Sequence, residues 1–566
     1  MKRPANIFLR LFILLGLCSF SIAETYYVAP YGSNRNSGSN RFPWQTIQHA
    51  FTQLFPGDTL LIRDGIYKEQ ITLPNTMNGI KDKRIVVKSY PGEWAVIDGT
   101  DLGKITLGFQ SGSLNNYLVF DSLEVFGAGE NALWVEGNHN IIRNLVLHST
   151  GKTALLLIGN HNRIQHCEIY NAGWNGIGLE SREMVTEEGI ASSELRSDSN
   201  YVEFCYVHDV PNHFGINVFP NPDYPQAFIN GNVIRYNIIE NTDGIYGRWN
   251  QSFYIYGNLV LNSHKDGIAF ATGGIGQPET PIPYTESDIK IYHNVFTKGA
   301  AEQQKLDKVF AIRNLTNEGS DIRNNIFYGY DVDSLGWEIF VRHDSPEDTI
   351  RNNLFYNTLS DTNKRIMLYN GKNYSLKKMN SSDGEHFRNN IFGDPLFMNI
   401  EAGDFTVRAG SPAIDSGENL PSPYDSTFAL STGWDSTAIT IERIERGHAD
   451  IGVFEFDDII TSLPETGTIE RSFPKKFFLY PNFPNPFNAE TTIQFDLQSN
   501  SYVPLKIFNL LGQEVRVLLN SEKTTGSYSV LWDGRDKTGK KAASGLYFYQ
   551  LKAGENINTR KMILNQ

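Results

Sequence analysis

The residues best suited to chemistry in this chain stand beside a recurring glycine-isoleucine pair. The pairs are Gly176-Ile177, Gly215-Ile216, Gly244-Ile245 and Gly267-Ile268. If each isoleucine faces inward in a strand, alternation turns outward the residue two before it and the residue one after it. Asp243 and Asp266 each precede an isoleucine by two residues. We therefore expect both carboxylates on one outward face.

The same alternation collects a mixed polar and aromatic surface. The outward set is Asn175, Gly178, Phe214, Asn217, Asp243, Tyr246, Asp266 and Ala269, with Arg248 one step further. Nearby turns and later segments add His213, Lys265, Arg313, Arg342, His343 and Asp344. The residues predicted to bind a substrate are Asn217, Tyr246, Trp249, Arg313, Arg342 and His343.

Asp243 and Asp266 stand in successive segments at the same position. In stacked strands their exposed carboxylates would lie about 5 Å apart. Such a pair shares a proton, holds a cation such as Ca²⁺, or turns apart into water. Aspartate before glycine is also ordinary turn chemistry. We take Asp243 and Asp266 as candidate metal ligands.

Two reactions on a polysaccharide could use this surface. In a lyase, a cation on the aspartates would neutralise a uronate carboxylate. Lys265, Arg248 or His213 would then remove the adjacent proton, and the glycosidic oxygen would leave by β-elimination. In a glycoside hydrolase, the two aspartates would act as acid, base or nucleophile, and a 5 Å spacing would suit a retaining enzyme.

A third function needs no catalysis. A surface adhesin or glycan-binding protein could use Trp174, Tyr246 and Trp249 to stack on sugar rings, as either enzyme could. The chain has no phosphate-binding loop, zinc-spaced Cys and His cluster or serine-nucleophile elbow. A lyase acting on a uronate-containing polysaccharide is the favoured hypothesis.

The elements that would position these residues come from internal repeats. Segments of about 22 residues begin at Asn116, Asn138 and Asn160, and each contains two or three short strands. Later units place one asparagine at an equivalent position: Asn237, Asn258, Asn294, Asn325, Asn353 and Asn390. Stacked coils would bury this column as a hydrogen-bonded ladder. Cys167 and Cys205 fall in the same column, so we expect buried thiols.

The opening segment TYYVAPYGSNRNSGSNRFPWQTIQHAFTQLFPGDTLLIRDGIY resembles the N-terminal cap and first coils of the pectate-lyase-like right-handed β-helix superfamily. In it, Ile47, Ala50, Phe51 and Leu54 predict a short helix that plugs the open end of the solenoid. DPLFMNIEAGDFTVRAGSPAIDSG and ADIGVFEF are similar to its closing coils. The resemblance implies an all-β right-handed parallel β-helix.

The resemblance also bears on catalysis. Lyases of this superfamily commonly use a lysine or arginine base beside Ca²⁺, but none of their catalytic lysines maps onto this chain. The run Asn241-Thr242-Asp243-Gly244, followed by Asp266, resembles part of the polygalacturonase pattern, whose remaining elements are missing from the sequence.

The domain limits follow from changes in composition. We predict a signal peptide at 1–23, the β-helix at 24–457, a linker at 458–476 and an immunoglobulin-like β-sandwich at 477–566. The last region, through YPNFPNPFN, WDGRD and KMILNQ, resembles type IX secretion sorting domains and flagellar-hook-cap-like immunoglobulin domains. That resemblance implies an export address rather than a catalytic part.

Charge and targeting limit the partners. The net charge is −13, or about −16 once the three basic leader residues are removed, which disfavours nucleic acid. We expect a secreted or cell-surface protein without a membrane span in its mature form. Its predicted partners are an acidic polysaccharide and the secretion machinery. Insertions at 182–198, 221–229 and 274–287 border the outward face and are predicted to wall a cleft.

Overall fold

The computed structural model describes a chain of many short strands. The described residues are 23–108, 114–185, 191–211, 213–220, 229–248, 252–271, 288–298, 310–315, 319–330, 338–342, 348–357, 365–382, 386–400, 403–428, 441–443, 448–456, 478–479, 491–497, 501–509, 512–523, 526–554 and 556–564. The chain divides into two compact units, Met1–Asp458 and Ile459–Gln566. The predicted leader and linker, apart from Ala23, lie outside the described residues.

The first unit is a solenoid whose coils contribute strands to three long parallel sheets. In spatial order, the first sheet contains β1 (Thr25–Val28), β2 (Thr59–Ile62), β5 (Ile85–Ser89), β8 (Leu118–Asp121), β11 (Ile141–Arg143), β14 (Arg163–Gln165), β18 (Tyr201–Glu203), β21 (Asn232–Arg235), β24 (Ser252–Tyr256), β27 (Asp288–Tyr292), β30 (Ser320–Arg323), β33 (Thr349–Arg351) and β37 (Phe387–Arg388).

The second sheet carries the outward face predicted from the sequence. Its order is β4 (Ile71–Thr72), β7 (Ile105–Gly108), β10 (Asn131–Glu136), β13 (Leu155–Ile158), β16 (Ile177–Val185), β20 (Ile216–Pro220), β23 (Ile245–Arg248), β26 (Asp266–Ala271), β29 (Phe310–Asn314), β32 (Ile339–Val341), β35 (Arg365–Tyr369) and β36 (Lys372–Ser375), with β17 (Ala191–Leu195) paired to β16. Except for the antiparallel pairs β16–β17 and β35–β36, its neighbours are parallel.

The third sheet completes each coil. Its order is β3 (Gly65–Tyr67), β6 (Ala95–Asp98), β9 (Leu123–Phe126), β12 (Val146–Thr150), β15 (Glu168–Ala172), β19 (Tyr206–His208), β22 (Ile238–Glu240), β25 (Leu259–Ser263), β28 (Val295–Lys298), β31 (Ile326–Tyr328), β34 (Leu354–Tyr356) and β38 (Ile391–Phe392). The aliphatic residues that face inward from the three sheets form one continuous core along the stack. This architecture confirms the predicted right-handed parallel β-helix.

The predicted asparagine column is a hydrogen-bonded ladder inside the solenoid. Asn237, Asn258, Asn294, Asn325 and Asn353 each donate from the backbone N–H to the side-chain oxygen of the next asparagine, which ends the series at Asn390. The donor-acceptor distances are 2.9–3.2 Å. All six side chains are buried, so each coil is locked to the next in fixed register.

Cys167 and Cys205 occupy the same column as predicted. Both thiols are free and fully buried. The backbone N–H of Cys205 donates to Oδ1 of Asn237 at 2.9 Å, so the ladder is continuous with the cysteine positions.

Short helices close the two ends of the stack. Helix α1 (Ile47–Phe51) buries Ile47, Ala50 and Phe51, and the Thr46 side chain caps it by accepting from the backbone N–H of His49. This is the predicted capping helix. Helix α2 (Leu376–Ser382) follows β36, and Nδ2 of Asn380 donates to the Asn390 backbone oxygen at 2.7 Å where the ladder ends. No helix in the described ranges is long and apolar enough to cross a bilayer.

The final part of the first unit, which we call the outer segment (residues 396–456), does not extend the coils as the sequence similarity implied. Its strands β39 (Phe397–Asn399) and β40 (Asp404–Val407) pair antiparallel, as do β41 (Ser426–Phe428) and β42 (Ile441–Arg443). Its apolar side chains pack on outward residues of the coils, including Tyr236, Tyr256 and Tyr292. A second apolar cluster therefore lies on the outside of the solenoid.

The second unit is an antiparallel β-sandwich, as predicted. One sheet has the order β43 (Phe478–Leu479), β44 (Thr491–Leu497) and β47 (Gly526–Trp532). The other has the order β46 (Glu514–Lys523), β45 (Ser501–Asn509), β48 (Gly545–Ala553) and β49 (Asn556–Leu564). Trp532 and Tyr549 are fully buried in its own core.

Candidate functional site

The second sheet stacks the predicted residues in the expected register. Ile245 of β23 pairs with Ile268 of β26, so Asp243 and Asp266 take equivalent places in successive coils. Successive coils of parallel strands lie about 4.8 Å apart, which makes the two aspartates neighbours along the solenoid. The register predicted for the two aspartates is therefore present.

The two aspartates differ in exposure. Asp243 is half-buried in the turn before β23, whereas Asp266 is only 1% exposed at the start of β26. The expectation of a fully solvent-facing pair was wrong for Asp266. The guanidinium of Arg313, from the next coil, lies against that carboxylate, with Nη2 donating to Oδ2 at 2.5 Å.

Burial changes the protonation of both carboxyl groups. Burial raises the pKa of Asp266 to about 6, against the opposing charges of Arg313 and Lys265. Burial also raises the pKa of Asp243, again opposed by Lys265. Oδ1 of Asp266 has no hydrogen-bond partner among the described residues. An acid of this kind exchanges its proton in the mildly acidic range.

Lys265 and His213 lie beside the aspartates. Lys265 directly precedes Asp266 in the chain, and its positive charge acts on Asp243, Asp266 and His213. His213 is half-buried, and its Nδ1 lies 2.9 Å from Oδ1 of Asn175. Because the amide oxygen accepts, Nδ1 carries the proton and a neutral ring keeps a lone pair on Nε2.

The protonation state of His213 is also set by its surroundings. Burial, reinforced by the Lys265 ammonium, lowers the pKa of His213 to about 4. The imidazole is therefore neutral near pH 7. A neutral ring whose Nδ1 is fixed by Asn175 can accept a proton at Nε2.

Aromatic and amide groups form the floor beside these residues. The rings of Phe214 and Tyr246 stack at 4.6 Å between centroids, and the ring of Tyr246 packs against Ala269. Asn217 aligns with Tyr246 in the preceding coil, and its buried Oδ1 has no hydrogen-bond partner among the described residues. The floor thus combines an apolar stack with an unused acceptor.

Arg248 is the next outward-facing residue of β23 after Tyr246. It is 5% exposed, and its guanidinium carbon is 4.9 Å from the centroid of the Phe219 ring. Burial lowers the pKa of Arg248. The predicted base candidates therefore divide: Lys265 and His213 flank the aspartates, whereas Arg248 stands in a neighbouring row.

The remaining predicted residues lie further away or outside the described ranges. Arg342 is exposed and follows β32, two coils beyond β26. Trp249, His343 and Asp344 lie outside the described residues, as does most of the insertions at 221–229 and 274–287. The insertion at 182–198 contributes a hairpin in which β16 pairs antiparallel with β17.

Sequence reasoning assigned no role to two nearby groups, the Asn175 amide and the Phe219 ring. Asn175 was placed on the outward face but not linked to His213, because a side-chain hydrogen bond between coils has no signature in the sequence. Phe219 could have been found by continuing the alternation in β20 to the next outward position after Asn217. Glu180 is half-buried in β16, and burial raises its pKa to about 7.

The described residues do not complete the calcium site expected from the sequence. Ca²⁺ takes six to eight oxygen ligands. Asp243 and Asp266 supply carboxylates, but one oxygen of Asp266 is already held by Arg313, whose positive charge occupies the cation's side of that group. The described ranges contain no cluster of three or more His, Cys, Asp or Glu side chains arranged for a metal.

Comparison with known proteins finds one family match within each unit. Residues 26–213 match the family model described as "Pel9A-like, right handed beta helix region", and residues 485–556 match the "FlgD Ig-like domain". The first match ends at His213, so the aspartates lie beyond it.

Curated relatives align over shorter stretches. Pectate lyase PEL9 of Emericella nidulans is 35% identical over 81 residues, which are 14% of this chain and 20% of the relative. Pectate lyase L of Paenibacillus polymyxa is 33% identical over 127 residues, which are 22% of this chain and 28% of the relative. The chain thus spans less than a third of the length of either relative.

A solved structure, pectate lyase Pel9A, is similar over 78% of this chain and 98% of its own, at 16% identity and a TM-score of 0.47. Each of the two family matches covers part of one unit. Residues 26–213 are thus similar to the Pel9A-like right-handed β-helix region, and residues 485–556 are similar to the FlgD Ig-like domain.

Proposed function

We propose that this protein is an exported polysaccharide lyase that cleaves a uronate-containing polymer by β-elimination. The observation that carries the proposal is the grouping of a neutral His213 with Lys265 and Arg313 around the stacked aspartates. The match to the Pel9A-like family and the alignments with two pectate lyases support the same reaction class.

In the proposed reaction, Nε2 of His213 removes the proton at C5 of a bound uronate. The electron pair forms the double bond between C4 and C5, the bond from C4 to the glycosidic oxygen breaks, and that oxygen takes up a proton from water. His213 then releases the C5 proton to solvent and is neutral again. The ammonium of Lys265 and the guanidinium of Arg313 neutralise the substrate carboxylate, which makes the C5 proton more acidic. Lys265 is the alternative proton acceptor, and Arg248 would contact the neighbouring sugar.

The aspartates have a supporting part in this proposal. Asp266 holds Arg313 in place through its hydrogen bond. With a pKa of about 6, the Asp266 carboxyl is partly protonated in mildly acidic solution, which reduces its repulsion of an anionic substrate. Asn217 and Tyr246 would bind sugar hydroxyl groups from the floor.

One observation favours a glycoside hydrolase as the second candidate. Two carboxyl groups with raised pKa values stand in adjacent coils, as a general acid and its partner do in such enzymes. The low exposure of Asp266 and its bond to Arg313 weigh against it, because a general acid must reach the leaving oxygen.

The deciding experiment incubates the purified protein with polygalacturonate, alginate and other acidic polysaccharides. Elimination produces an unsaturated uronate that absorbs ultraviolet light, whereas hydrolysis releases reducing ends without that absorbance. We expect the ultraviolet signal. Reducing ends alone would establish the hydrolase, and neither product across the panel would leave a binding protein. Parallel reactions with a chelator, and with Ca²⁺ restored, measure any need for a cation.

His213→Ala tests the assigned base. We expect kcat to fall by about 100-fold or more, as is typical when a general base is removed. The control is His161→Ala, because His161 is an exposed histidine that stacks on His139 in earlier coils. If His213→Ala keeps full activity while Lys265→Ala is inactive, Lys265 is the base.

Export is the second part of the proposal. The basic and apolar leader predicted from the sequence and the C-terminal FlgD Ig-like domain support delivery outside the cytoplasm, where a polysaccharide is accessible. Mass spectrometry of protein recovered from the culture medium would define the mature ends. Recovery only from cell lysate, with residues 1–23 retained, would contradict export.

A further inference from the structure

One aromatic side chain beside the proposed site is not used by the reaction described above. Trp174 is 47% exposed in the turn before β16, although tryptophan usually buries most of its large apolar surface. Its indole meets the ring of His213 edge-on, with 5.3 Å between centroids. Trp174 is thus the exposed neighbour of the assigned base.

The backbone holds Trp174 in a defined position. The backbone N–H of Trp174 donates to the backbone carbonyl of Lys152 in the preceding coil at 3.1 Å. The next residue, Asn175, is buried and bonds to His213. The orientation of the indole and that of the imidazole are therefore set by adjacent residues of one turn.

The polar surroundings continue on the far side of the indole. Lys152, one coil earlier, forms an ion pair with Glu130, which also pairs with Lys104. The path from Lys104 through Lys152 to Trp174 and His213 follows the stacking direction of the coils. An extended polysaccharide could follow this direction, because one coil adds about 4.8 Å to the stack, close to the length of one sugar residue.

We propose that Trp174 is a positioning residue that stacks on the sugar bound next to the one that reacts, on the side of the earlier coils. The inference rests on the proposed function, because it takes His213 to mark the reacting sugar. The apolar face of a pyranose ring would cover the exposed indole face, while hydroxyl or carboxylate groups meet Lys152. A substrate too short to cover Trp174 would lose this contact.

The test compares Trp174→Ala and Trp174→Phe with the wild-type protein. The measured quantities are retardation in native gels that contain each polysaccharide of the panel, and kcat and KM on the polymer that is cleaved. We expect Trp174→Ala to weaken binding and raise KM about tenfold, the loss typical of one aromatic contact, with kcat changed less. Trp174→Phe should restore most of the affinity.

Chain length gives an independent readout. Wild-type protein should cleave the polymer with a much higher kcat/KM than short oligosaccharides, and Trp174→Ala should narrow that ratio. The matched control is Tyr31→Ala, because Tyr31 is an exposed aromatic residue (72%) in the turn after β1, far along the stack. A purely structural role for Trp174 would instead lower stability and affect all substrates equally.

The outcomes separate this inference from the proposed function. If the wild type cleaves the polymer and Trp174→Ala binds it with unchanged affinity, the Trp174 contact is disproved and the lyase stands. If a gel retards the wild type without cleavage and Trp174→Ala is not retarded, the contact stands and the lyase fails. If no polysaccharide retards the wild type, both are overturned.

Discussion

Coil stacking produces both the asparagine ladder inside the solenoid and the polar groups on the outer side of the second sheet, which we call the outward row. The two differ in how many of their polar atoms are hydrogen-bonded. In the ladder, each amide from Asn237 to Asn390 both donates and accepts hydrogen bonds. In the outward row, Oδ1 of Asp266, Oδ1 of Asn217 and Nε of Arg313 lack hydrogen-bond partners among the described residues.

This difference distinguishes a structural repeat from a candidate site. Leaving a buried polar atom without a partner costs free energy, and the column from Asn237 to Asn390 avoids this cost because its amides are hydrogen-bonded. Groups that bind or react with a substrate must keep some of their hydrogen-bond donors or acceptors unpaired in the free protein. We therefore expect substitutions in the ladder to lower stability, and substitutions in the outward row to lower activity with little effect on stability.

The largest loss of stability is expected from Asn294→Ala in the middle of the ladder. The side chain donates to the carbonyl of Ile255 and to Oδ1 of Asn325, and it accepts two hydrogen bonds from Asn258. Removing it strands several buried groups, so the free energy of unfolding should fall by about 3 kcal/mol or more. Denaturant titration measures this.

The control for that substitution is Asn75→Ala, because Asn75 is exposed. Its effect should stay within about 0.5 kcal/mol. Equal stability of the Asn294→Ala and Asn75→Ala variants would mean that the ladder adds little to the stability of the solenoid, and would contradict its structural role.

A somewhat smaller effect is expected from protonation of His293, a fully partnered group outside the ladder. Its Nδ1 donates to the Gly452 carbonyl at 3.2 Å, and its Nε2 accepts from Nδ2 of Asn324 at 3.1 Å. Burial lowers the pKa of His293 from 6.5 to about 4. The folded state therefore binds fewer protons than the unfolded state between these two values.

Stability from His293 is complete above pH 6.5 and is lost as the pH falls toward 4. The loss reaches about 3 kcal/mol. The variant His293→Gln keeps a donor and an acceptor but does not titrate. Thermal unfolding from pH 7 to pH 4.5 should show a shallower decline for the variant, and parallel declines would rule His293 out as the cause.

The smallest change in stability is expected from Asp266→Asn in the outward row. An amide has nearly the same shape, avoids the cost of a buried charge and still accepts from Arg313, so the free energy of unfolding should change by less than about 1 kcal/mol. Activity should nevertheless fall at least about tenfold, because the carboxylate no longer anchors Arg313 as firmly. A large loss of stability would instead place Asp266 with the structural groups.

Much of this fold could be predicted from the sequence because its signals are local and repeated. The spacing of Asn237 and its equivalents gave the ladder, and the glycine-isoleucine pairs gave the register of Asp243 and Asp266. Alternation indicates which face a side chain takes but not what lies over it. The burial of Asp266 under Arg313, a contact between residues 47 positions apart, had no local signal.

The outer segment was misjudged for a similar reason. Residues such as Phe397 and Phe428 look like core residues of further coils, and they are buried. Their partners, however, are outward side chains of coils formed far earlier in the chain, including Tyr236. Apolar composition predicts burial but does not identify the surface against which a segment is buried.

The packing of the outer segment also determines where the chain can be shortened. A polypeptide ending at Phe392 would retain the coils through β38. It would expose a continuous apolar surface that includes Tyr256, Tyr292, Val295 and Ile326. Such an exposed surface promotes self-association. Truncation before residue 456 should therefore yield a product that aggregates, even though all coils of the solenoid are present.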